Sequence, residues 1–218
     1  MGVRLTDIFD WLLREHDETT SRERVLALTP YVLQVAFDQI PGDFVEVGCY
    51  RGGTALWTRA VLDSVGEADR TLHVYDSFQG MPEPRSVDMD LMGKGDLTAS
   101  VEDVVQAHDR WQKRKPVIHP GWFEDTLPTQ LPDRICFAYL DGDFHDSILT
   151  GLRYCVPRLS PGAVILIDDY ADVEAHPRVW NGFPGVKQAC DEFFGSPSPV
   201  RPVITDTDLP FGVYVHSP

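Results

Sequence analysis

The chain has 218 residues, 43% of them hydrophobic and 24% charged, with a formal net charge of −15. That is enough for one α/β domain with a substantial core, and so acidic a surface argues against nucleic acids and anionic membranes as partners. No apolar run approaches the roughly 20 residues of a membrane-spanning helix, and the opening segment MGVRLTDIFDWLLREHD is too charged for a secretory signal, so a cytoplasmic protein is expected. Lys113, Arg114 and Lys115 form a short basic cluster that reads as a solvated helix end. The four cysteines, Cys49, Cys136, Cys155 and Cys190, show no CxxC spacing and read as reduced structural thiols rather than zinc ligands.

Residues 4–16 and 22–39 read as two helices, the first with Leu5, Ile8, Phe9, Leu12 and Leu13 on one face, the second capped by Ser21. Pro41-Gly42 breaks the chain, and Asp43–Val47 is a strand that ends in Gly48. A helix over about 53–65 follows, then a strand over 71–75 ending at Asp76, then a long loop over 77–98 rich in Gly, Pro, Met and Asp. Ser100 caps a helix to about Arg110, with Asp103 placed as in a capping box. Strands are expected over 116–119 and 135–140, the second ending at Asp141, and a helix over about 147–158. Ser160-Pro161-Gly162 reads as a turn into the apolar strand 163–167, which ends at Asp168-Asp169. An irregular stretch over 170–184, a helix over about 185–194 and two β-like runs near Val203 and over 212–216 complete the chain.

Strands alternating with helices imply βαβ units, and continuous apolar strands imply a mostly parallel sheet covered on both faces. A Rossmann-like α/β fold with seven strands is expected, residues 1–40 forming a helical cap and residues 41–218 the cofactor-binding domain. Ligands of such sheets bind beyond the carboxyl ends of the strands. Here those ends carry Glu46-Val47-Gly48, Asp76, Asp141 and Asp168-Asp169, and acids directly after buried strands are not ordinary surface charges. The turn Gly48-Cys49-Tyr50-Arg51-Gly52-Gly53 lacks the middle glycine of the G-x-G-x-x-G dinucleotide pattern. An acid at the end of the second strand, Asp76, suits the ribose hydroxyls of a nucleoside. Asp141 and Asp168 are separated by 26 residues, one helix and one strand, so Asp141, Asp168 and Asp169 converge on one rim. Like charges that close resist ionisation without a cation, and oxygen-only ligands favour Mg²⁺ over zinc.

The segments FVEVGCYRGGTALWTRAVL, DSFQGMPEP, GWFEDTLP, AYLDGDFHDS and LSPGAVILIDDY, in this order between about Pro41 and Phe194, resemble the macrocin O-methyltransferase family. The resemblance implies a class I methyltransferase fold, S-adenosyl-L-methionine and Mg²⁺ as cofactors, and a sugar hydroxyl on a glycosylated secondary metabolite as methyl acceptor. It implies cofactor contacts at Glu46, Gly48 and Asp76, with Tyr50, Arg51, Gly52, Ser77 and Asp141 beside them and Trp122 and Phe123 flanking the adenine. It implies metal ligation by Asp141, Asp168 and Asp169 and proton removal by Asp143, with His145 as the alternative base. A homo-oligomer is expected. Two other readings stay open: methylation of a phenol or other small-metabolite hydroxyl, and a nucleoside-cofactor binder without turnover. A hydrolase is disfavoured, since no G-x-S-x-G elbow occurs and His145 and Ser147 are too close in sequence for a triad.

Overall fold

The structure, a computed structural model, describes residues 3–89 and 91–217. Two helices lead, α1 (Leu5–Glu15) and α2 (Arg22–Phe37). The Ser21 hydroxyl accepts the Arg24 amide at 3.1 Å, satisfying one of the free N–H groups at the start of α2. Val25, Leu28, Val32 and Val35 recur along α2 at helical spacing, all are buried, and they face Val164 and Leu166 of the sheet in one core cluster.

The remaining elements are β1 (Asp43–Val47), α3 (Gly53–Ser64), β2 (Leu72–Asp76), α4 (Val101–Arg110), β3 (Val117–Pro120), α5 (Phe123–Gln130), β4 (Ile135–Leu140), α6 (His145–Cys155), β5 (Leu159–Asp168), α7 (Pro184–Phe194), β6 (Arg201–Ile204) and β7 (Pro210–Val215). They form a seven-stranded sheet in the order β3-β2-β1-β4-β5-β7-β6, with β7 antiparallel to both its neighbours and the other pairings parallel. Successive strand residues face opposite sides of the sheet. Phe44, Val74, Phe137, Tyr139, Val164 and Leu166 therefore pack with α1 to α4, while Val45, Val47, Ala138, Leu140, Ile165 and Ile167 pack with α5 to α7. All four cysteines are free and buried, as the absence of paired spacing implied.

Three boundaries differ from the sequence reading. α5 was not expected: it is short, has no side-chain cap and contains Pro128. α6 begins at His145, two residues early, because the His145 amide donates to Asp88, 57 residues away in sequence. Ser160-Pro161-Gly162 belongs to β5 rather than to a turn. The ladder to β4 shifts register there, and the Ser160 hydroxyl donates to the Pro41 carbonyl at 2.6 Å.

Because α2 shares one cluster with β4 and β5, deleting one of its contacts is expected to destabilise the whole molecule. Leu28→Ala should cost about 2–5 kcal/mol and leave a single cooperative transition in urea followed by circular dichroism. A separate early transition would show that the first two helices are an independent unit.

Candidate active site

The parallel register sets the ends of four strands level. Val47 pairs with Tyr75 on one side and Leu140 on the other, and Leu140 pairs with Ile167. The next residue of each strand is therefore Gly48, Asp76, Asp141 and Asp168. A cavity of about 750 Å³ opens above them, beside the β1–β4 junction where the strand order reverses. Of the residues singled out from the sequence, Gly48, Tyr50, Asp76, Ser77, Trp122, Phe123, Asp141 and Asp143 line it.

One half of the cavity is built by the β1–α3 turn. Gly48 has φ 89°, and a Cβ there would run into the Asp141 carbonyl, so only glycine fits and the backbone is left bare on the cavity side. Asp76 organises this turn. Its Oδ2 accepts the amides of Cys49 at 3.0 Å and Tyr50 at 2.8 Å, and its Oδ1 accepts the amide of Phe78 at 2.8 Å. Tyr50 and Phe78 both hold positive φ, 47° and 53°, a conformation that bulky side chains adopt only when surrounding contacts impose it. Burial pushes the Asp76 carboxyl above the usual carboxylate range, and the three amides oppose that shift. Glu46 lies beneath the turn, 2% exposed, accepting the Thr54 hydroxyl at 2.7 Å. Burial raises its pKa to about 8, with Thr54 acting in the opposite direction.

The other half is acidic. Carboxylate oxygens of Asp141, Asp143 and Asp169 lie within 4.8 Å of one another. Asp143 and Asp169 have φ of 57° and 55°, a left-handed turn that aspartate tolerates and that aims side chains leaving β4 and β5 into one place. Asp168 stands beside them at 2% exposure, with one oxygen on Arg24 and the other, Oδ1, buried without a partner. Burial, and then the charge of Asp168, raise the pKa of Asp141 and Asp169 well above normal and that of Asp143 to about 7. Arg24 opposes the rise at each of the three.

The structure places the singled-out residues as follows. Of Asp141, Asp168 and Asp169, it brings Asp141 and Asp169 together with Asp143, while Asp168 stands beside them on Arg24. His145 does not face the cavity: Nδ1 lies 3.0 Å from Asp146, and Nε2 points to α7, 3.2 Å from Glu192. Arg51 donates to the Glu15 carbonyl at 3.2 Å and lies outside the cavity lining. Gly52 and Glu46 also lie outside it, Gly52 as the left-handed start of α3 and Glu46 behind the turn.

Two residues were missed. Arg24 was hidden by its long sequence separation from the acids, although a cation in the first turn of a helix opposes the helix dipole and is a signal in itself. Asp88, 8% exposed, pins the long loop over 77–98 to the site: Oδ1 accepts the His145 amide and Oδ2 the Arg85 amide, each at 2.9 Å. The loop also closes on itself, the Met81 amide donating to the Asp96 carbonyl at 2.8 Å and the Gly95 amide to the Met81 carbonyl at 2.9 Å. Met81, Leu91 and Met92 from this loop, with Trp180 and Phe183 from the stretch before α7, give the cavity an apolar wall.

Two outcomes are expected from these contacts. Glu46 is a group whose folded pKa stands above its value of 4.5 in the open chain, so its contribution is fully present below pH 4.5 and is lost as pH rises towards 8. The stability of Glu46→Gln relative to the parent should therefore grow between pH 5 and pH 8 in urea titrations, and a difference independent of pH would refute the burial argument. Asp88→Ala removes the acceptor at the start of α6, a loss of about 0.5–2 kcal/mol. It should also speed amide exchange at Arg85 and His145, and unchanged exchange at both would refute the anchoring role.

The macrocin-O-methyltransferase (TylF) family model matches residues 9–193. Over 146 residues the chain is 40% identical to the 8-demethyl-8-(2,3-dimethoxy-alpha-L-rhamnosyl)-tetracenomycin-C 4'-O-methyltransferase of Streptomyces olivaceus, a match that covers 63% of this chain and 56% of that one. Over 144 residues it is 36% identical to the mycinamicin III 3''-O-methyltransferase of Micromonospora griseorubida, covering 61% and 57%. The chain thus spans little more than half the length of these two relatives. Among solved structures the O-methyltransferase NovP superposes with a TM-score of 0.74 at 28% identity, over 90% of this chain and 80% of that one. The sheet order, the glycine turn and the acidic strand ends agree with that kinship: the fold is that of the class I O-methyltransferases, and the chain belongs to the macrocin-O-methyltransferase family.

Proposed function

We propose that the protein is an S-adenosylmethionine- and Mg²⁺-dependent O-methyltransferase acting on a sugar hydroxyl of a glycosylated secondary metabolite. The observation that carries this reading is the pairing, at neighbouring strand ends, of a glycine turn tied to Asp76 with an oxygen-only acidic cluster, beside which one buried carboxylate oxygen of Asp168 has no partner. A buried acceptor atom without a donor is costly, and a hard cation with oxygen ligands answers it. The acceptor class follows the two relatives, whose names specify O-methylation of a rhamnosyl-bearing tetracenomycin and of mycinamicin III. The apolar wall of Met81, Leu91, Met92, Trp180 and Phe183 suits a hydrophobic aglycone beside the sugar.

In this reading Gly48 and Asp76 would hold the cofactor, and Trp122 and Phe123 would flank its adenine. S-adenosylmethionine supplies an electrophilic methyl group bound to a sulfonium centre. Asp141, Asp168 and Asp169 would hold a divalent cation, which would supply Lewis-acid activation of an alcohol. Asp143 takes the hydroxyl proton. Without a cation beside it, its carboxyl is pushed up to about 7 by burial and by the neighbouring charge of Asp168. His145, the alternative base, points towards Glu192 and lies outside the cavity lining, which favours Asp143. The aromatic and aliphatic wall excludes water, so the acceptor hydroxyl rather than solvent meets the methyl group. No nucleophilic side chain is needed for a single displacement.

Chelation and point variants test this with a panel of glycosylated and phenolic acceptors. Activity is expected to vanish in EDTA and return with Mg²⁺. Asp143→Asn should lower kcat by about 10²–10⁴-fold while leaving the S-adenosylhomocysteine Kd unchanged by calorimetry. Full activity in EDTA would overturn the metal reading, and a preference for free phenols would overturn the sugar reading.

A further inference from the structure

Four carboxylates, Asp141, Asp143, Asp168 and Asp169, meet at the ends of β4 and β5. Among the described residues, the cation bonded to two of them, Asp168 and Asp169, is Arg24. Its Nε donates to Asp168 Oδ2 at 2.6 Å, and its Nη2 lies 3.3 Å and 3.5 Å from the two oxygens of Asp169. The two acid side chains are 1% exposed and that of Arg24 is 18% exposed. The planar guanidinium bridges two adjacent carboxylates with a fork of donors, so it covers oxygen lone pairs that a metal ion would also need. Arg24 stands at the third position of α2, where a positive charge is disfavoured by the helix dipole. The acids hold it there, and the helix gains nothing from it. Arg24 is also part of the cavity lining, so its side chain has open space to move into without any shift of the α2 backbone.

From this geometry, and resting on the metal reading above, we propose that Arg24 is a built-in competitor of the divalent cation: guanidinium and metal take the Asp168 and Asp169 carboxylates in turn, and metal loading swings Arg24 out into the cavity. Buried acids left without any positive partner would be strongly destabilising. Arg24 offsets part of the pair's charge when no metal is bound and the ion offsets it when metal is bound, so the fold does not depend on metal. The cost is a weaker hold on the metal, because each ion that enters must displace an ion pair. The displaced guanidinium then lies in the cavity, on the side of Glu18 and Thr19.

The test measures Mn²⁺ binding to the whole chain by calorimetry and electron paramagnetic resonance, with no turnover involved. Removing the competitor in R24Q should lower the Mn²⁺ Kd about tenfold, equivalent to about 1.4 kcal/mol. R24K keeps the charge but loses the fork, and should fall between R24Q and the parent. It also serves if R24Q does not fold. A crystal of the parent protein grown with Mn²⁺ should show Arg24 away from Asp168. A Kd unchanged or raised in the variants overturns the proposal. So does a guanidinium still 2.6 Å from Asp168 in a Mn²⁺-loaded crystal, which would mean that any gain in R24Q came from relief of charge repulsion alone. If the parent binds Mn²⁺ and the variants bind it no better, competition alone fails. If none of the forms binds Mn²⁺, the metal reading fails with it.

Discussion

The contact on which the site depends is between the end of β1 and the end of β4. The Asp141 amide donates to the Val47 carbonyl at 2.9 Å, and the Asp141 carbonyl presses against the α-carbon of Gly48 so closely that no side chain fits between them. The glycine turn that forms one half of the cavity and the acids that form the other are thereby held at a fixed separation by backbone alone. A slip of one residue in any of these parallel strands would turn every side chain to the opposite face, moving Asp141 or Asp168 from the acid cluster into the apolar layer beneath α6 and α7. Burial on both faces of the sheet prevents that slip, so the apolar core protects the positions of the polar groups.

The acids impose their own constraint. Asp141, Asp143 and Asp169 are each pushed towards the neutral form by burial and by their neighbours, a condition typical of functional clefts. The backbone around them is correspondingly unusual: Tyr50, Phe78, Asp143 and Asp169 all have positive φ, and all four follow the end of a strand that feeds the cavity. The strain at Tyr50 and Phe78 is offset by the amides that Asp76 accepts from them. Asp76 therefore shapes the turn as well as facing the cavity, and a nucleoside that bonds to it meets a carboxylate already oriented by three donors.

Much of this was legible in the sequence because it is local. Apolar runs ended by Gly48, Asp76, Asp141 and Asp168-Asp169 mark strands whose ends carry chemistry, and a parallel sheet puts such ends on one rim. Ser21 and the Ser100–Asp103 capping box were readable for the same reason. What escaped the reading is long-range. Nothing near Asp168 in the chain announces Arg24, and nothing near His145 announces that Asp88 starts α6 or that Glu192 turns the imidazole away from the cavity. α5 escaped for a different reason, since Leu127 is held against the sheet by tertiary packing within a helix too short and too proline-marked to show a period.

The loop over 77–98 is fastened at two places, the Met81–Asp96–Gly95 backbone ladder at its base and the Asp88 carboxylate at its middle. Between these fastenings none of the described residues is in a helix or strand, and Pro82, Glu83, Leu91 and Met92 contribute to the cavity wall. The acid cluster lies outside this loop. Mutations between the two fastenings therefore reshape the wall without reaching Asp141, Asp143, Asp168 or Asp169. That separation makes the loop an exchangeable cassette, whose shape can change while the acid cluster stays as it is.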